Sequence, residues 1–557
     1  IEQAWSKALD EVVVTGTRTP KLLKDSPILT RVISENDIRK IDATNISDLL
    51  QAELPGVEFS FAMNQQVSLN MQGFGGNAVL FLVDGERLAG ETLDNPDYSR
   101  LNLANIGKIE IVKGAASSLY GSNAVGGVIN LISKENARPW SVNLNARYGA
   151  HNEQRYGANI GFNIGKFNSA TSVQHTFINS YDMRNQGDFT RFYGGHTWNF
   201  KERLTCNVTD KLKLIGRAGY FFRQREASES VKDRYRDFGA GLRGTYKISD
   251  SNDLEAAYSF DQYDKSDFIT ASGKDIRKYS NVQNSAKLVY NHTFSGKHIL
   301  TVGGDIMRDY LQTYQFTDNG NRSQITADGF AQFDMNFLKN LNIIAGGRYD
   351  YFSEAAMSSL TSRVSMMYKT GRCSLRGSYA GGFRAPTLKE MYMDFDMAGI
   401  FMIYGNPDLK PEKSHNFQIS AEYTRGLLNF NIGGFLNLVD DRITTGWSQP
   451  LKGMVYTNIS RVDISGIDAN VSWRTPWGLS TRLSYIFTHE KVAKGQPYTS
   501  STRPHTATMR IDYTKRWHNY GFTAALNGRV LSAGPVAEYP SPPADEDVEK
   551  VYYPADP

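Results

Sequence analysis

Cysteine is almost absent: 557 residues hold two, Cys206 and Cys373, distant in sequence, so a disulfide framework is not expected. They read as small apolar residues of a core or a lipid face. No uninterrupted apolar run approaches the roughly 18 residues of a membrane-crossing helix, which excludes a helical membrane protein. A transmembrane β-barrel stays open, because its outward apolar residues are diluted by inward polar ones. No Lys/Arg run stands out, and 62 Lys and Arg against 58 Asp and Glu give a net charge of +4. That balance carries no footprint of a nucleic-acid partner. The start, IEQAWSKALDEV, lacks a charged-then-apolar leader, so an exported protein is expected here in its mature form.

Catalytic patterns are missing too. The nine His show no metal-site spacing, and THEKVAK around His489 is not HExxH. GFGGN is followed by no GK[ST], which excludes a phosphate loop. No Ser-His-Asp or paired-carboxylate arrangement emerges, and the chain reads as non-enzymatic.

What is present falls into two textures. Residues 108–134, KIEIVKGAASSLYGSNAVGGVINLISK, pack glycines and serines between two β-branched strands. Gly73, Gly75, Gly76, Gly85, Gly114, Gly121, Gly126 and Gly127 read as turn and close-packing positions. Ser34 before ENDIRKI and Asn45 before ISDLL read as helix caps. With strands at 78–84, 109–113 and 127–132, residues 26–135 read as a small α+β unit. From Trp140 onward the texture is two-residue alternation. Phe417, Ile419, Ala421 and Tyr423 share one face against Asn416, Gln418, Ser420 and Glu422. Leu428, Phe430, Ile432, Leu436 and Leu438 oppose Asn429, Asn431 and Asn437; Ala507, Met509, Ile511 and Tyr513 oppose Thr506, Thr508, Arg510 and Asp512. About nineteen such segments are visible, many near the roughly 9–11 residues that cross a bilayer at a tilt. A soluble sandwich rarely sustains this for so long, and Arg, Asp and Asn on the polar face need a wide, wet lumen. Longer polar stretches at 222–236, 264–283, 352–361, 387–412 and 490–503 read as the long loops at one barrel end. The predicted class is an all-β transmembrane barrel with an N-terminal α+β plug in its lumen.

The run DEVVVTGTR, residues 69–88 (LNMQGFGGNAVLFLVDGERL) and residues 108–134 closely resemble the plug domain of TonB-dependent outer-membrane receptors. FRAPTLKEMY at 383–392 and YGNPDLKPEKSH at 404–415 resemble two barrel signatures of that family. The resemblance spans essentially the whole chain. It implies a multi-pass barrel in the outer membrane of a Gram-negative bacterium, 22 strands closed around a plug. It implies a segment at 1–20 with a TonB box, a plug at 21–136 and a barrel at 137–557. The family usually ends on a strand with a terminal aromatic, whereas PPADEDVEKVYYPADP is turn-like and charged. About three strands are therefore expected to be missing.

The resemblance also implies roles. Asp10, Glu11, Val12, Val13, Val14 and Thr15 resemble the box, a strand that adds to the edge of the TonB protein by main-chain hydrogen bonds. The inner-membrane energising complex behind TonB supplies the work. Plug loops near 64–68 and 94–98 are expected to face ligand. Glu390 and Glu412 are expected to pair with plug Arg87 or Arg100. The loop between them holds Met391, Met393, Met397 and Met402, four of 14 Met, beside Tyr392, Phe395, Phe401 and Tyr404. Its spacing resembles haem and haemophore receptors of Bacteroidota-type bacteria. Haem is thus the expected transported ligand, with no permanent cofactor. These eight residues are the candidate contacts, and Met397 is the candidate thioether ligand to haem iron. A surface haemophore or lipoprotein is a candidate partner, beside outer-membrane lipid. Cobalamin, an iron-siderophore chelate, copper(I) and a passive porin are the alternatives.

Overall fold

The computed structural model describes residues 11–61, 67–92, 95–182, 191–317, 320–354, 357–397, 399–492, 502–518, 520–538 and 549–553. Asp10 of the box, residues 64–66 and Asp94 lie outside them.

One sheet of 21 strands runs from Trp140–Gly149 to Tyr520–Leu531. Two of these, Asp394–Asp396 and Met402–Tyr404, form a short hairpin in a loop, and the other nineteen form an antiparallel wall. The alternation read from the sequence decides which face is which. Phe417, Ile419, Phe430 and Ile432 are exposed on the outside; Asn416, Asn431, Asn437, Thr508 and Asp512 are buried within. Apolar outside and polar inside is the order lipid imposes, with neighbouring strands bonded along the wall; among the described residues no pairing joins the two end strands, Trp140–Gly149 and Tyr520–Leu531.

Joins at one end of the wall are two to four residues long, as at 165–166, 295–297 and 475–478. At the other end they reach residues 385–411. The stretches 222–236 and 264–283, expected as loops, are mostly strand: Leu212–Glu226 continues into Val231–Ser249, and Asn252–Ile269 into Lys274–Phe294. These strands run 15–21 residues. That exceeds the roughly 9–11 a bilayer needs, so the ladders continue beyond the lipid. Pairing persists there because it satisfies backbone groups more fully than an open loop. The charged C-terminal stretch is also more ordered than its composition suggests, since Gly534–Glu538 pairs with Glu549–Tyr553.

Inside the wall sits a five-stranded sheet in the order Thr30–Ser34, Ile106–Lys113, Gly127–Ser133, Val79–Val83, Glu86–Arg87. Only the Gly127–Ser133 and Val79–Val83 pair is parallel. Both expected helices form. Ser34 caps Glu35–Ile41 through a capping box with Asp37, and Asn45 caps Ile46–Glu53 by accepting from the Asp48 N–H. Ile33, Leu49, Leu50, Ile109, Ile129 and Leu131 fill the plug core, with Tyr98 edge-on to Phe59 and Phe81. Each such burial contributes about 1.5–3 kcal/mol. Wall residues Val439, Ile459, Val462 and Ile464 join the same cluster, so plug and wall share a core on one side.

The plug lies within the bore. Its residues bond to wall strands all round: Asp42 to Arg147, Glu86 to Arg243, Lys21 to Asp334, Ser26 to Arg376, Gly73 to Arg442 and Glu53 to Arg510.

Candidate functional site

At the long-loop end, the chain leaves strand Cys373–Arg384 and folds inward. Thr387 caps the short helix Leu388–Tyr392 by accepting from the Glu390 N–H, while the Glu390 carboxylate accepts from the Thr387 N–H. Leu388 and Met391 then pack with Phe221, Tyr263, Tyr279 and Leu311 of wall strands between Leu212–Glu226 and His298–Thr313, and with Phe316 of the turn that follows. The helix thus leans over the long-loop end of those strands.

Among the described contacts, neither Glu390 nor Glu412 pairs with Arg87 or Arg100. Arg384 takes both: its Nη1 donates to the two Glu390 oxygens at 2.9 Å, and its Nη2 to Glu412 at 2.7 Å. The Ile443 N–H also donates to Glu412, at 2.7 Å. Arg384 is fully buried, six residues before Glu390 and directly opposite Glu412 in the strand pairing, so the local pairs win over a cross-domain one. Arg100 does join plug to wall, but through Asp237 at 3.0 Å. Arg87 stays within the plug, on the carbonyls of Tyr120 and Ser122.

The four methionines are not one group. Met391 lies in the aromatic cluster just described, and Met393 packs with Leu409, Ile443 and Tyr456. Met397 is 37% exposed at the tip of the Asp394–Asp396/Met402–Tyr404 hairpin, and Met402 lies on its returning strand. Phe395 contacts the Tyr314 ring, Phe401 the Trp447 ring, and Tyr392 donates to Glu354. Tyr404 pairs with Asp394 in the hairpin and with Val455 of the wall. The sulfurs are dispersed because the four occupy a helix, its C-cap, the hairpin tip and the returning strand.

Beneath the helix lies a vestibule that the sequence did not single out. Arg223, Arg225 and Lys389 are charged neighbours of Lys265, and Asp97 of the plug is there too. Lys265 lies 4.7 Å from the Tyr279 ring centre, and Arg223 lies 4.1 Å from that of Tyr235. Asp97 accepts from Tyr263 at 2.6 Å and pairs with Arg223 at 3.1 Å. Burial alone would raise the Asp97 pKa. Arg223, hydrogen bonds from Ser99 and Tyr263, and Arg100 outweigh it and hold the carboxyl at about 2. So of the plug loops expected to face ligand, the described part of 94–98 does line the vestibule. These wall cations were hidden because every inward polar residue alternates alike; only pairing across strands brings them together. Next to them a cavity runs along the plug, between Asn77, Arg87 and Gly90 and the wall residues Asn281, Asp309 and Gln324. A second cavity below it shares Arg87 and Ser122 and reaches Arg18.

The short-turn end holds the box. Val12–Val13 pairs with Lys21–Leu22, and Val13 is fully buried. The Val14 N–H, Thr15 N–H and Thr15 hydroxyl all donate to Glu110 Oε2, at 3.0, 2.8 and 2.7 Å. Glu11 is half-buried, and burial raises its carboxyl above the ordinary value. The main-chain edge that a partner strand would use is therefore occupied internally.

Two family descriptions match this chain: "TonB dependent receptor-like, beta-barrel" over residues 179–547 and "TonB-dependent Receptor Plug Domain" over residues 23–128. An iron-regulated outer membrane virulence protein of Vibrio cholerae is 26% identical over 537 residues, spanning 88% of this chain and 80% of that protein. The vitamin B12 transporter BtuB of Photobacterium profundum is 23% identical over 481 residues, spanning 84% and 76%. Among solved structures, the FrpB iron transporter of Neisseria meningitidis superposes with a TM-score of 0.78 at 15% identity, covering 94% of this chain and 90% of that one. The siderophore receptor PirA of Acinetobacter baumannii gives 0.74 at 17% identity, covering 94% and 87%. At these identities the structural likeness speaks to fold.

Proposed function

This chain belongs to the TonB-dependent receptor family, transporters of the Gram-negative outer membrane and not enzymes, and from that premise we propose that its cargo is an iron chelate of net negative charge. The vestibule carries this reading. Arg223, Arg225, Lys265 and Lys389 gather against two paired carboxylates, Asp97 and Asp233, beside the rings of Tyr235, Tyr263 and Tyr279. Excess cations in a walled, low-dielectric mouth attract an anion, and the ring faces suit an aromatic chelator. A ferric catecholate has both properties. The names of the relatives, iron-regulated, iron transporter and siderophore receptor, point the same way. Ligand in the vestibule favours a plug state with the box released, and TonB then draws the plug aside.

Haem is the second reading. Met397 at the hairpin tip, with Ile400 at 77% exposure and the Phe401–Trp447 ring pair beside it, offers an apolar, thioether-bearing surface. A haemophore or surface lipoprotein would meet the receptor at that tip. Cobalamin is kept as a competitor on the strength of the BtuB relative.

Titration of the purified receptor with a ferric tris-catecholate, haemin and cyanocobalamin tests the reading. The catecholate is expected to bind, and Lys265→Ala with Lys389→Ala to weaken it about tenfold or more, the scale of one or two charged hydrogen bonds. A haemin Soret shift that Met397→Ala abolishes, with no catecholate binding, would replace this reading with haem.

A further inference from the structure

We infer that Tyr120 is a positioning residue of the transport cycle. Its hydroxyl clasps the coupling box, and the helical turn that carries it links that clasp to the mouth loop. The inference rests on the reading that ligand arrives at the mouth and TonB at the box.

The turn Ser117–Tyr120 lies between the two ends of the molecule and is bonded to both. Downward, the Tyr120 hydroxyl donates to the Thr15 carbonyl at 3.0 Å. Thr15 is 1% exposed, so no water replaces that bond while the box is docked. Arg18, three residues on, lies 5.0 Å from the centre of the Tyr120 ring. Upward, Ser117 Oγ accepts from the Phe383 N–H at 3.1 Å and donates to the Phe383 carbonyl at 3.4 Å. Ser122 Oγ accepts from the Ala385 N–H at 3.0 Å. The residue between those two wall positions is Arg384, tied to Glu390 of the mouth helix. From the side, Arg87 donates to the carbonyls of Tyr120 and Ser122 and lines both cavities.

The connection from mouth helix to box is thus Glu390, Arg384, its two chain neighbours, Ser117 and Ser122, Tyr120 and Thr15. Each link is a hydrogen bond or a peptide bond, and most are buried. A shift of the mouth helix on ligand therefore moves the turn, and the turn carries the only described side-chain hydroxyl bonded to a box carbonyl. Glu110 also holds the box, but it lies on plug strand Ile106–Lys113 and touches neither the mouth loop nor Arg87 among the described contacts. Lys108 on the Val12 carbonyl and Asn130 on the Thr15 hydroxyl at 3.1 Å hold the box from plug strands in the same way. These grips differ from that of the Tyr120 hydroxyl: Glu110, Lys108 and Asn130 anchor, and Tyr120 couples.

The test uses the intact receptor with Cys206 and Cys373 changed to Ala and Val13→Cys as reporter, since Val13 is buried when docked. Maleimide labelling rates are compared for this background, Tyr120→Phe and Glu110→Gln. Without ligand, both variants are expected to label about three- to tenfold faster, the worth of one hydrogen bond. On adding a ferric tris-catecholate, the background and Glu110→Gln should accelerate further, whereas Tyr120→Phe should not, with its catecholate affinity unchanged. Heat-modifiable migration on gels confirms that each variant is folded, and Ser122→Ala repeats the Tyr120→Phe result from the other end of the turn. A ligand-free rate in Tyr120→Phe equal to the background's, or a ligand response like the background's, overturns the inference. The ligand-free arm decides the clasp alone, so a catecholate without effect on the background counts against the cargo instead.

Discussion

Glu53 is 3% exposed and accepts from three arginines: plug Arg31 at 2.7 Å, and wall Arg482 at 2.9 Å and Arg510 at 2.5 Å. Burial alone would raise its pKa, but the three guanidinium groups outweigh burial and hold it below its ordinary 4.5. A carboxylate with a depressed folded pKa stabilises fully above its unfolded pKa and loses that contribution as pH falls through the folded value. Glu86 behaves alike: burial opposes ionisation, yet Lys287, Arg243 and Arg217 hold it at about 2. Plug docking is therefore expected to be insensitive to pH above about 5 and to weaken progressively from about 4.5 towards 2. Protease cleavage of plug segments along a pH series reads this directly. Glu53→Gln leaves one buried and two half-buried cations underpaired and is expected to loosen the docked plug by about 3 kcal/mol at neutral pH. It should also flatten the acid response. An unchanged urea midpoint for plug release in this variant would show that the hub carries no such weight.

Elements differ in how far they could be read from sequence. Wall strands were legible because a period of two writes the lipid face directly into the chain, as in Phe417 to Tyr423. The plug helices were legible because Ser34 and Asn45 announce them locally. The mouth helix was not, because its packing partners come from strands distant in the chain; nor was the destination of Glu390, because Arg384 meets it only once the chain turns inward after strand Cys373–Arg384. The same holds for the vestibule, where Arg223 and Lys265 meet Lys389 only through the fold. Arg384 is the hinge of this element. Arg384→Gln removes the cation between two buried carboxylates and is expected to undock residues 385–411, at about 3–5 kcal/mol. Hydrogen exchange over 385–411 should rise while the wall strands stay protected; unchanged exchange there would refute the anchoring role. The box strand gives a second case. Val13→Pro cannot donate a main-chain hydrogen bond and breaks the pairing with Lys21–Leu22 as well as pairing with TonB. Ligand affinity is expected to persist and uptake to fall to background. Uptake at the unmutated rate would remove residues 10–15 from the coupling role.

At the scale of the whole molecule, two interfaces of opposite chemistry enclose one another. Outside, apolar side chains meet lipid, and the wall is held by continuous backbone ladders. Inside, plug and wall meet largely through polar groups: Lys21–Asp334 at 2.7 Å, Arg243–Glu86 at 2.5 Å, Arg100–Asp237 at 3.0 Å and Arg510–Glu53 at 2.5 Å. Apolar contact gathers in the patch around Val462 and Ile464 and in a smaller one where Ile28 and Val112 meet Ile344. Ion pairs can be exchanged for water one at a time, whereas a dry apolar surface must be opened together. A plug seated this way suits a machine that moves it by pulling on one end. The two interfaces should therefore separate under denaturant, the plug leaving at lower urea than the wall unfolds. Raising salt from about 0.05 M to 0.5 M shortens the screening length from more than 10 Å towards a few ångström. The wetter bridges at the rim, such as Asp42–Arg147, should weaken first, lowering the plug transition. The wall transition, set by backbone bonds in lipid, should not follow. Val13→Pro, which disturbs at most the Lys21–Asp334 pair and leaves the others, should keep most of this salt dependence. Tryptophan fluorescence follows the wall and protease sensitivity of residues 21–136 follows the plug. A single transition for both probes at every salt concentration would mean that the plug is a structural part of the wall and not a piece that TonB can draw aside.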